Sequence, residues 1–548
     1  MGEFSSMNYP LPPVAFLLAA GWRDRLDKAL FDDTFEGIHS LNWFDYSLLI
    51  PYFVLLLVLA FYGAHRYEVI WAYIKSKRTP PPAPPQPFAT LPRVTIQLPL
   101  YNERLVVERL LEEVVKIDYP RDLLDIQVLD DSTDDTHPFT ERLVAEYKAA
   151  GHPVEYIHRS NRHGFKAGAL EAGLKVAKGE FVAVFDADFV IPPDFLMKTI
   201  HHFTDPKIGM VQTRWSYLNR YYNLLTEVQA MLLDGHFILE HNARYRSGLF
   251  FNFNGTAGIL RKAMIEDSGG WEHDTLTEDS DLSYRAQVRG WRFAYVPEVE
   301  CPSELPFDMH GFQVQQSRWA KGLTQVAMKL LRRILSADLP WRVKLEAFTH
   351  LTPNITYPLM IIVTAMMLPV MIVRFYVGWQ QLLLIDLPLL MATFLSVVCF
   401  YIYAQYERDR KSWLRAALMT PVLLAAGATL TVINTKAVLE ALFGVKSSFV
   451  RTPKYAITGT QTRENKKAEA VKHYRSRSGW LPWIELGLGG YFLCMVVYAV
   501  DTYNYLAVPL LSIFVAGYWW AAFSTLNREV RDRLAWQRAR KLEAARAR

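Results

Sequence analysis

The chain has 548 residues, of which 51% are hydrophobic, 14% aromatic and 21% charged, and its mean hydropathy is slightly positive. That is too apolar for an ordinary soluble enzyme of this size, so the composition predicts one chain in two solvents, a charged soluble part and an apolar membrane part. The net charge of +5 excludes nothing by itself, and the three cysteines, Cys301, Cys399 and Cys494, lack metal spacing and cannot form a disulfide framework; they read as small buried hydrophobes.

The opening MGEFSSM reads as a cloning scar, with Met7 as the natural first residue and no cleavable signal peptide. Residues 1–46 are expected outside the membrane, because their acidic residues (Asp24, Asp27, Asp32, Asp33, Glu36, Asp45) precede an apolar run, Ser47–Gly63, that is followed by Arg66, Lys75, Lys77 and Arg78. Residues 47–78 are then a first membrane helix with a basic juxtamembrane end, and 79–92 a proline-rich spacer. From 93 to 340 short apolar runs (Val94–Leu98, Ile126–Leu129, Phe181–Phe185) alternate with helical patterns such as Glu103–Val115 and Thr140–Ala150. That alternation predicts an α/β domain with a mostly parallel sheet, which binds ligands at the carboxyl ends of its strands.

Apolar segments return over roughly 354–373, 382–404, 416–443, 482–500 and 505–524, within a membrane region spanning 341–526, and 527–548 is a basic tail. The basic stretch YERDRKSWLR and the tail both belong in the cytosol by the positive-inside rule, so an even number of crossings separates them. The segment 416–443, which carries Asn434, Lys436 and Glu440, is then the expected non-spanner. Five crossings plus interface helices result, with six as the alternative.

Four constellations in the soluble region carry chemistry. VLDDSTDDT puts Asp130 and Asp131 after a strand, where they serve either an Asp-rich turn or a nucleoside. VFDADF puts Asp186 and Asp188 at another strand end; if the chain turns there, two carboxylates can hold a hard divalent cation on a diphosphate. LTEDSDL offers Glu278, Asp279 and Asp281, either as the acidic first turn of a helix or as the source of a general base. VQQSRWAKG places Gln315, Arg318 and Trp319 on one helical face: an amide, a guanidinium suited to a diphosphate and an indole suited to a sugar ring. Two supporting pieces are LPLYNE, with Tyr101 and Glu103 where a base can lie, and RHGFKAGAL, with Lys166 placed to meet a phosphate.

The ordered set PLYNE, DDST, HGFKAG, DAD, FNGTAG, TED and QQSRW closely resembles the processive family-2 glycosyltransferases, the cellulose synthase superfamily. The nearest flavour is that of the cellulose-synthase-like mannan and xyloglucan-backbone synthases. The resemblance implies a GT-A catalytic domain embedded in a helical membrane domain, and an inverting displacement that polymerises a nucleotide sugar into a β-linked polysaccharide secreted through the protein's own channel. UDP-glucose is the favoured donor and GDP-mannose the second. By the same resemblance Tyr101, Glu103, Asp130, Asp131, Lys166, Asp186, Gln315 and Arg318 bind the donor. Asp186 and Asp188 hold Mg²⁺ or Mn²⁺. Asp279 is the base, with Glu278 and Asp188 in the catalytic group, and Trp319, Gly255, Thr256 and Glu278 meet the acceptor. FVRTPK resembles a gating loop within 445–478, with Phe449, Thr452 and Lys454 as its key residues and Arg451 where the family usually has Val. No cyclic-dinucleotide-binding domain is expected. The expected partners are the donor, the growing polysaccharide, membrane lipid and an accessory secretion subunit, with no nucleic acid. The expected location is the plasma or inner membrane, with the catalytic domain cytosolic. The competing expectation is a non-processive glycolipid synthase similar to ceramide glucosyltransferase.

Overall fold

The computed structural model describes residues 40–80, 86–377, 383–445, 452, 454–459 and 479–546. The scar, the acidic residues before position 40, Phe449, Arg451 and most of 445–478 lie outside the described residues.

The first element, α1 (Trp43–Lys77), opens on a capping box: the Asn42 side chain accepts from the backbone of Phe44 and Asp45, and Asp45 accepts in return from Asn42 N–H at 2.9 Å. The soluble domain then builds one mixed sheet of seven strands. These are β1 (Val94–Leu100), β2 (Leu124–Asp130), β3 (Val154–His158), β4 (Phe181–Val184), β5 (Ile208–Tyr217), β6 (Gly258–Arg261) and β7 (Arg292–Ser303), in spatial order β3-β2-β1-β4-β6-β5-β7. All pairs are parallel except those of β6, which runs against β4 and β5. The mostly parallel sheet expected from the alternating pattern is therefore present. Strand β1 is buried along its whole length, as a central strand covered on both faces must be. Its apolar residues Val94, Ile96 and Leu98 enter one core with Val128, Phe185 and Ile259. On the other face Thr95 donates to Asp125 and the Gln97 amide nitrogen to Gln127, so these buried side chains bond across the strands.

Among the covering helices, α2 (Val107–Val114), α3 (Thr136–Ala149), α4 (Phe165–Val176), α5 (Leu224–Asp234) and α6 (Glu278–Val288) belong to the sheet domain. Helices α7 (Met309–Ser336) and α8 (Trp341–Leu351) lead into α9 (Thr356–Tyr376), α10 (Ser396–Arg408), α11 (Trp413–Leu442), α12 (Leu481–Asp501) and α13 (Ala507–Arg546). Six described helices are long and apolar enough to cross a membrane: those over Trp43–Lys77, Pro353–Tyr376, Ile385–Arg408, Trp413–Leu442, Leu481–Asp501 and Ala507–Arg531. Helix α11 differs from the rest. Its first turn is tied to the sheet domain through Arg415 and Glu227 at 2.8 Å. Its last turn is tied to α7 through Lys321, which donates to Glu440 and to the Val445 carbonyl, each at 2.8 Å. Both ends are thus bonded to helices that also pack on the sheet domain or line its cleft. The count of six follows from length and composition alone. The sheet domain also docks on α10, where Arg220 bonds Asp234 at 2.6 Å and Gln405 at 2.8 Å.

Candidate active site

The carboxyl ends of β1, β2 and β4 open into a cleft of about 1210 Å³, open solvent included, roofed by α6 and α7. It is lined by Tyr101, Glu103, Asp131, Lys166, Asp186, Asp188, Gly255, Glu278, Asp279, Gln315, Arg318, Trp319, Thr452 and Lys454. Segments more than 300 residues apart in sequence thus meet at one place. Two expected residues do not line it. Asp130 is buried, with one carboxylate oxygen accepting from Ser132 N–H at 2.8 Å and the other from the Tyr156 hydroxyl at 2.7 Å; it shapes the turn. Thr256 is also buried, and its hydroxyl accepts the Asp186 N–H at 2.9 Å, so it acts on the cleft by orienting that loop.

The side of the cleft at the end of β2 is tightly bonded. Asp131 takes a two-pronged bond from Arg159, with Nε to Oδ1 at 2.8 Å, and the same guanidinium donates to the carbonyls of His163 and Phe165. The RHGFKAG loop is thereby pinned to the end of β2. The loop stores strain: Phe165 sits at φ 49°, a left-handed conformation unusual for a bulky residue, directly after Gly164 at φ 73°. That turn aims Lys166 across the cleft, where Nζ donates to Asp186 Oδ1 at 2.6 Å and to the Gly255 carbonyl at 2.8 Å. Burial lowers the Lys166 pKa, but Asp186, Glu278 and Asp279 outweigh it, so the ammonium is held charged. The Arg162 guanidinium lies 3.1 Å from the Tyr101 ring centre, forming a flat cationic platform at the mouth.

The DAD segment turns, with Phe189 N–H bonding back to the Asp186 carbonyl at 3.1 Å, and so both carboxylates reach the cleft instead of splaying apart. Each is met by an ammonium in this structure, Asp186 by Lys166 and Asp188 by Lys454. A carboxylate pair already surrounded by cations fits a hard divalent ion, but it offers only two protein ligands. Among the described residues, neither aspartate belongs to a group of three or more converging metal-ligand side chains.

The acidic side of the cleft is built by α6. Thr277 stands at its N-cap without a side-chain cap bond, leaving Glu278 and Asp279 in the first turn facing the cleft. Burial and the neighbouring Glu278 push the Asp279 carboxyl up to about 7, against the pull of Lys166 and of the Ser280 N–H that donates to it at 2.7 Å. Gly255, at φ 78°, lies against this carboxylate so closely that a Cβ would stand 2.8 Å from Asp279 Oδ2. On α7 the stripe Gln315, Arg318 and Trp319 faces the same space, as its spacing predicts. Burial lowers the Arg318 pKa, while Glu278, Asp186, Asp279 and Asp188 hold the guanidinium charged.

Three lining residues escaped sequence reasoning. Arg162 was one of several basic residues in a loop. Asn254, next to Gly255, is clamped by His236 at 3.0 Å and His241 at 2.7 Å. Glu304, in the SELP stretch after β7, is buried and pushed up to about 7 by that burial; it accepts the Tyr455 N–H at 2.9 Å and so fastens the described part of the loop around Lys454. A charged residue just beyond a strand end was the one signal for Glu304.

Residues 92–322 match the family described as Glycosyltransferase like family 2. A probable glucomannan 4-beta-mannosyltransferase 11 of Oryza sativa subsp. japonica is 42% identical over 249 residues, 44% of this chain and 44% of the relative. Glucomannan 4-beta-mannosyltransferase 2 of Arabidopsis thaliana is 42% identical over 252 residues, 45% of this chain and 47% of the relative. The match thus spans a little under half the length of the curated relatives. Among solved structures, the mannosyltransferase PcManGT from Pyrobaculum calidifontis, in complex with GDP-Man and Mn²⁺, aligns at a TM-score of 0.49 with 22% identity, covering 72% of this chain and 100% of that one. The family match and the identity to these relatives each cover less than half of this chain, and the residues of the family match, 92–322, include the sheet and the start of α7.

Proposed function

We propose that this integral membrane protein is an inverting, processive glycosyltransferase. It builds a β-linked polysaccharide from a nucleotide sugar at the cytosolic face and passes the product between its own membrane helices. The observation that carries the reading is the convergence of Asp186 and Asp188, Asp279, and the Gln315–Arg318–Trp319 stripe in one cleft. The relatives' names favour a mannosyl donor, so GDP-mannose moves ahead of the UDP-glucose expected from the sequence, and a 4-linked product is the matching expectation.

In this reading the donor's nucleoside lies by Tyr101, Glu103, Arg162 and Asp131, and its diphosphate meets Lys166 and Arg318. Asp186 and Asp188 would hold a divalent cation, which would supply charge neutralisation for the leaving diphosphate. Trp319 stacks on the terminal sugar of the acceptor, beside Gly255 and Glu278. Asp279 takes the proton from the acceptor hydroxyl as its oxygen forms the bond to the sugar's C1 and the bond to the diphosphate breaks. A base whose pKa sits near 7 is ionised enough to accept that proton at neutral pH. Lys454 and Thr452 close over the donor, with Glu304 as the anchor of that segment. The N-terminus lies outside a plasma or inner membrane, and an accessory subunit receives the polymer beyond it.

The test is direct. The full chain in lipid nanodiscs is given labelled GDP-mannose and UDP-glucose in parallel, with Mg²⁺, with Mn²⁺ or with a chelator. The product is sized and digested with linkage-specific glycosidases. A high-molecular-weight, metal-dependent product from one donor supports the reading; label confined to the organic-extractable lipid would overturn polymer synthesis.

A further inference from the structure

The loop that delivers Asp279 is gripped from outside the cleft by the helix that carries the acceptor platform. Glu272, Asp274 and Asp281 bring their carboxylate oxygens within 4.8 Å of one another, the shape of a cation site. The cation present is Lys329 of α7. Its Nζ lies 2.5 Å from Glu272, 2.7 Å from Asp274 and 2.9 Å from Asp281. Asp281 is fully buried and also receives Arg285 Nε at 2.7 Å. Two more ties lie between Lys329 and Trp319. The Leu276 N–H donates to Gln325 Oε1 at 2.9 Å, and Gly322 approaches Thr277 so closely that a Cβ would stand 2.5 Å from Thr277 Cγ2.

Positions 322, 325 and 329 continue the face that begins with 315, 318 and 319, because steps of three and four residues keep to one side of a helix. One stripe of α7 therefore does two things. Its first turns line the cleft, and its later turns clamp residues 272–281, the segment that contains Glu278 and Asp279. Lys329 itself does not line the cleft.

The geometry points to Lys329 as a positioning residue that, with Gln325, sets the distance between the Asp279 carboxylate and the acceptor platform on Trp319. The inference rests on the proposed role of Asp279 and adds what holds it in register. An acceptor hydroxyl fixed by stacking on Trp319 cannot follow a base that drifts, whereas a water molecule can. Loosening the clamp therefore costs transfer to sugar more than it costs hydrolysis of the donor.

The experiment compares wild type, Lys329→Met, Lys329→Arg and Gln325→Leu, each as the full chain in nanodiscs. It follows two products of the donor that the wild type consumes: label in polymer and label released as free sugar. For Lys329→Met, polymer synthesis is expected to fall roughly tenfold while free-sugar release changes less than about twofold, with donor KM nearly constant. Lys329→Arg restores most of the ratio of polymer to free sugar, and Gln325→Leu shifts it in the same direction by a smaller factor. If Lys329→Met does not yield folded protein, Gln325→Leu, which removes one hydrogen bond, decides alone. An unchanged ratio in a folded variant, whether both rates fall together or neither falls, overturns the inference while leaving the proposed reaction intact. Failure of the wild type to transfer sugar from any donor would instead overturn the proposed reaction.

Discussion

Asp279 and Asp281 stand two residues apart on the first turn of α6, and the two sides of that turn are different environments. Asp279 faces the cleft beside Glu278. Its nearest ammonium, Lys166, is bonded elsewhere, to Asp186 and Gly255, and its carboxyl is pushed up to about 7. Asp281 is fully buried, yet it is met by Arg285 at 2.7 Å and Lys329 at 2.9 Å. A buried carboxylate with its own cations is suited to fastening, and one crowded by another acid and left open to a cleft is suited to the proton-accepting role proposed for Asp279. What separates the two roles is the direction in which each side chain leaves the helix.

The sharpest way to break this contrast is to neutralise each acid in turn. Asp279→Asn is expected to lower sugar transfer by about 10³-fold, at the scale of a lost general base, while equilibrium binding of the donor is retained. Near-normal turnover would end its assignment. Asp281→Asn acts on the fold instead. It removes the buried negative charge that faces Arg285 and Lys329 and is expected to cost about 3 kcal/mol, read as a lower thermal midpoint, with residual activity tracking the folded fraction. Gly255→Ala tests the close approach: strain at φ 78° and the contact with Asp279 Oδ2 are expected to lower transfer by roughly tenfold with the donor KM little changed.

The smallest effects concern pH and give the sign of the shift. Transfer needs Asp279 ionised, so its rate is expected to rise by about tenfold per pH unit below 7 and to level off above it. Stability runs the other way. The folded carboxyl titrates at about 7 and the unfolded one at its ordinary value of 3.8. The stability present below 3.8 is therefore lost as pH rises through 7. Asp279→Asn removes that loss, so its melting point is expected to exceed the wild type's at pH 8 and to approach it at low pH.

The DAD pair and the 315–318–319 stripe were legible in the sequence because each depends on local spacing alone: a strand end for the first, a helical period for the second. Asp130 and Asp131 were read as a pair, and geometry divides them. Neighbours on a strand end point to opposite faces, so Asp130 turns inward to Ser132 and Tyr156 while Asp131 reaches the cleft. Asn254 and Glu304 gave weaker signals because what positions them comes from distant segments, His236 and His241 for the first and Tyr455 for the second. Lys329 was invisible for the same reason: in sequence it belongs to a basic amphipathic run, and its partners lie about fifty residues upstream. Helix α11 marks the limit of hydropathy. Its thirty residues are long and apolar enough for a span, and only crossing parity with Asn434, Lys436 and Glu440 marked it in the sequence as the expected non-spanner; in the structure ion pairs join its two ends to Glu227 and Lys321.

The most direct test is a paired assay of the wild type and Asp279→Asn in nanodiscs, with labelled GDP-mannose and a divalent cation, that measures donor bound and label incorporated into high-molecular-weight product. Equal donor binding, with polymer made by the wild type and none detectable from the variant, is the expected result. Polymer from both at similar rates would contradict the account and move the base to another carboxylate of the cleft.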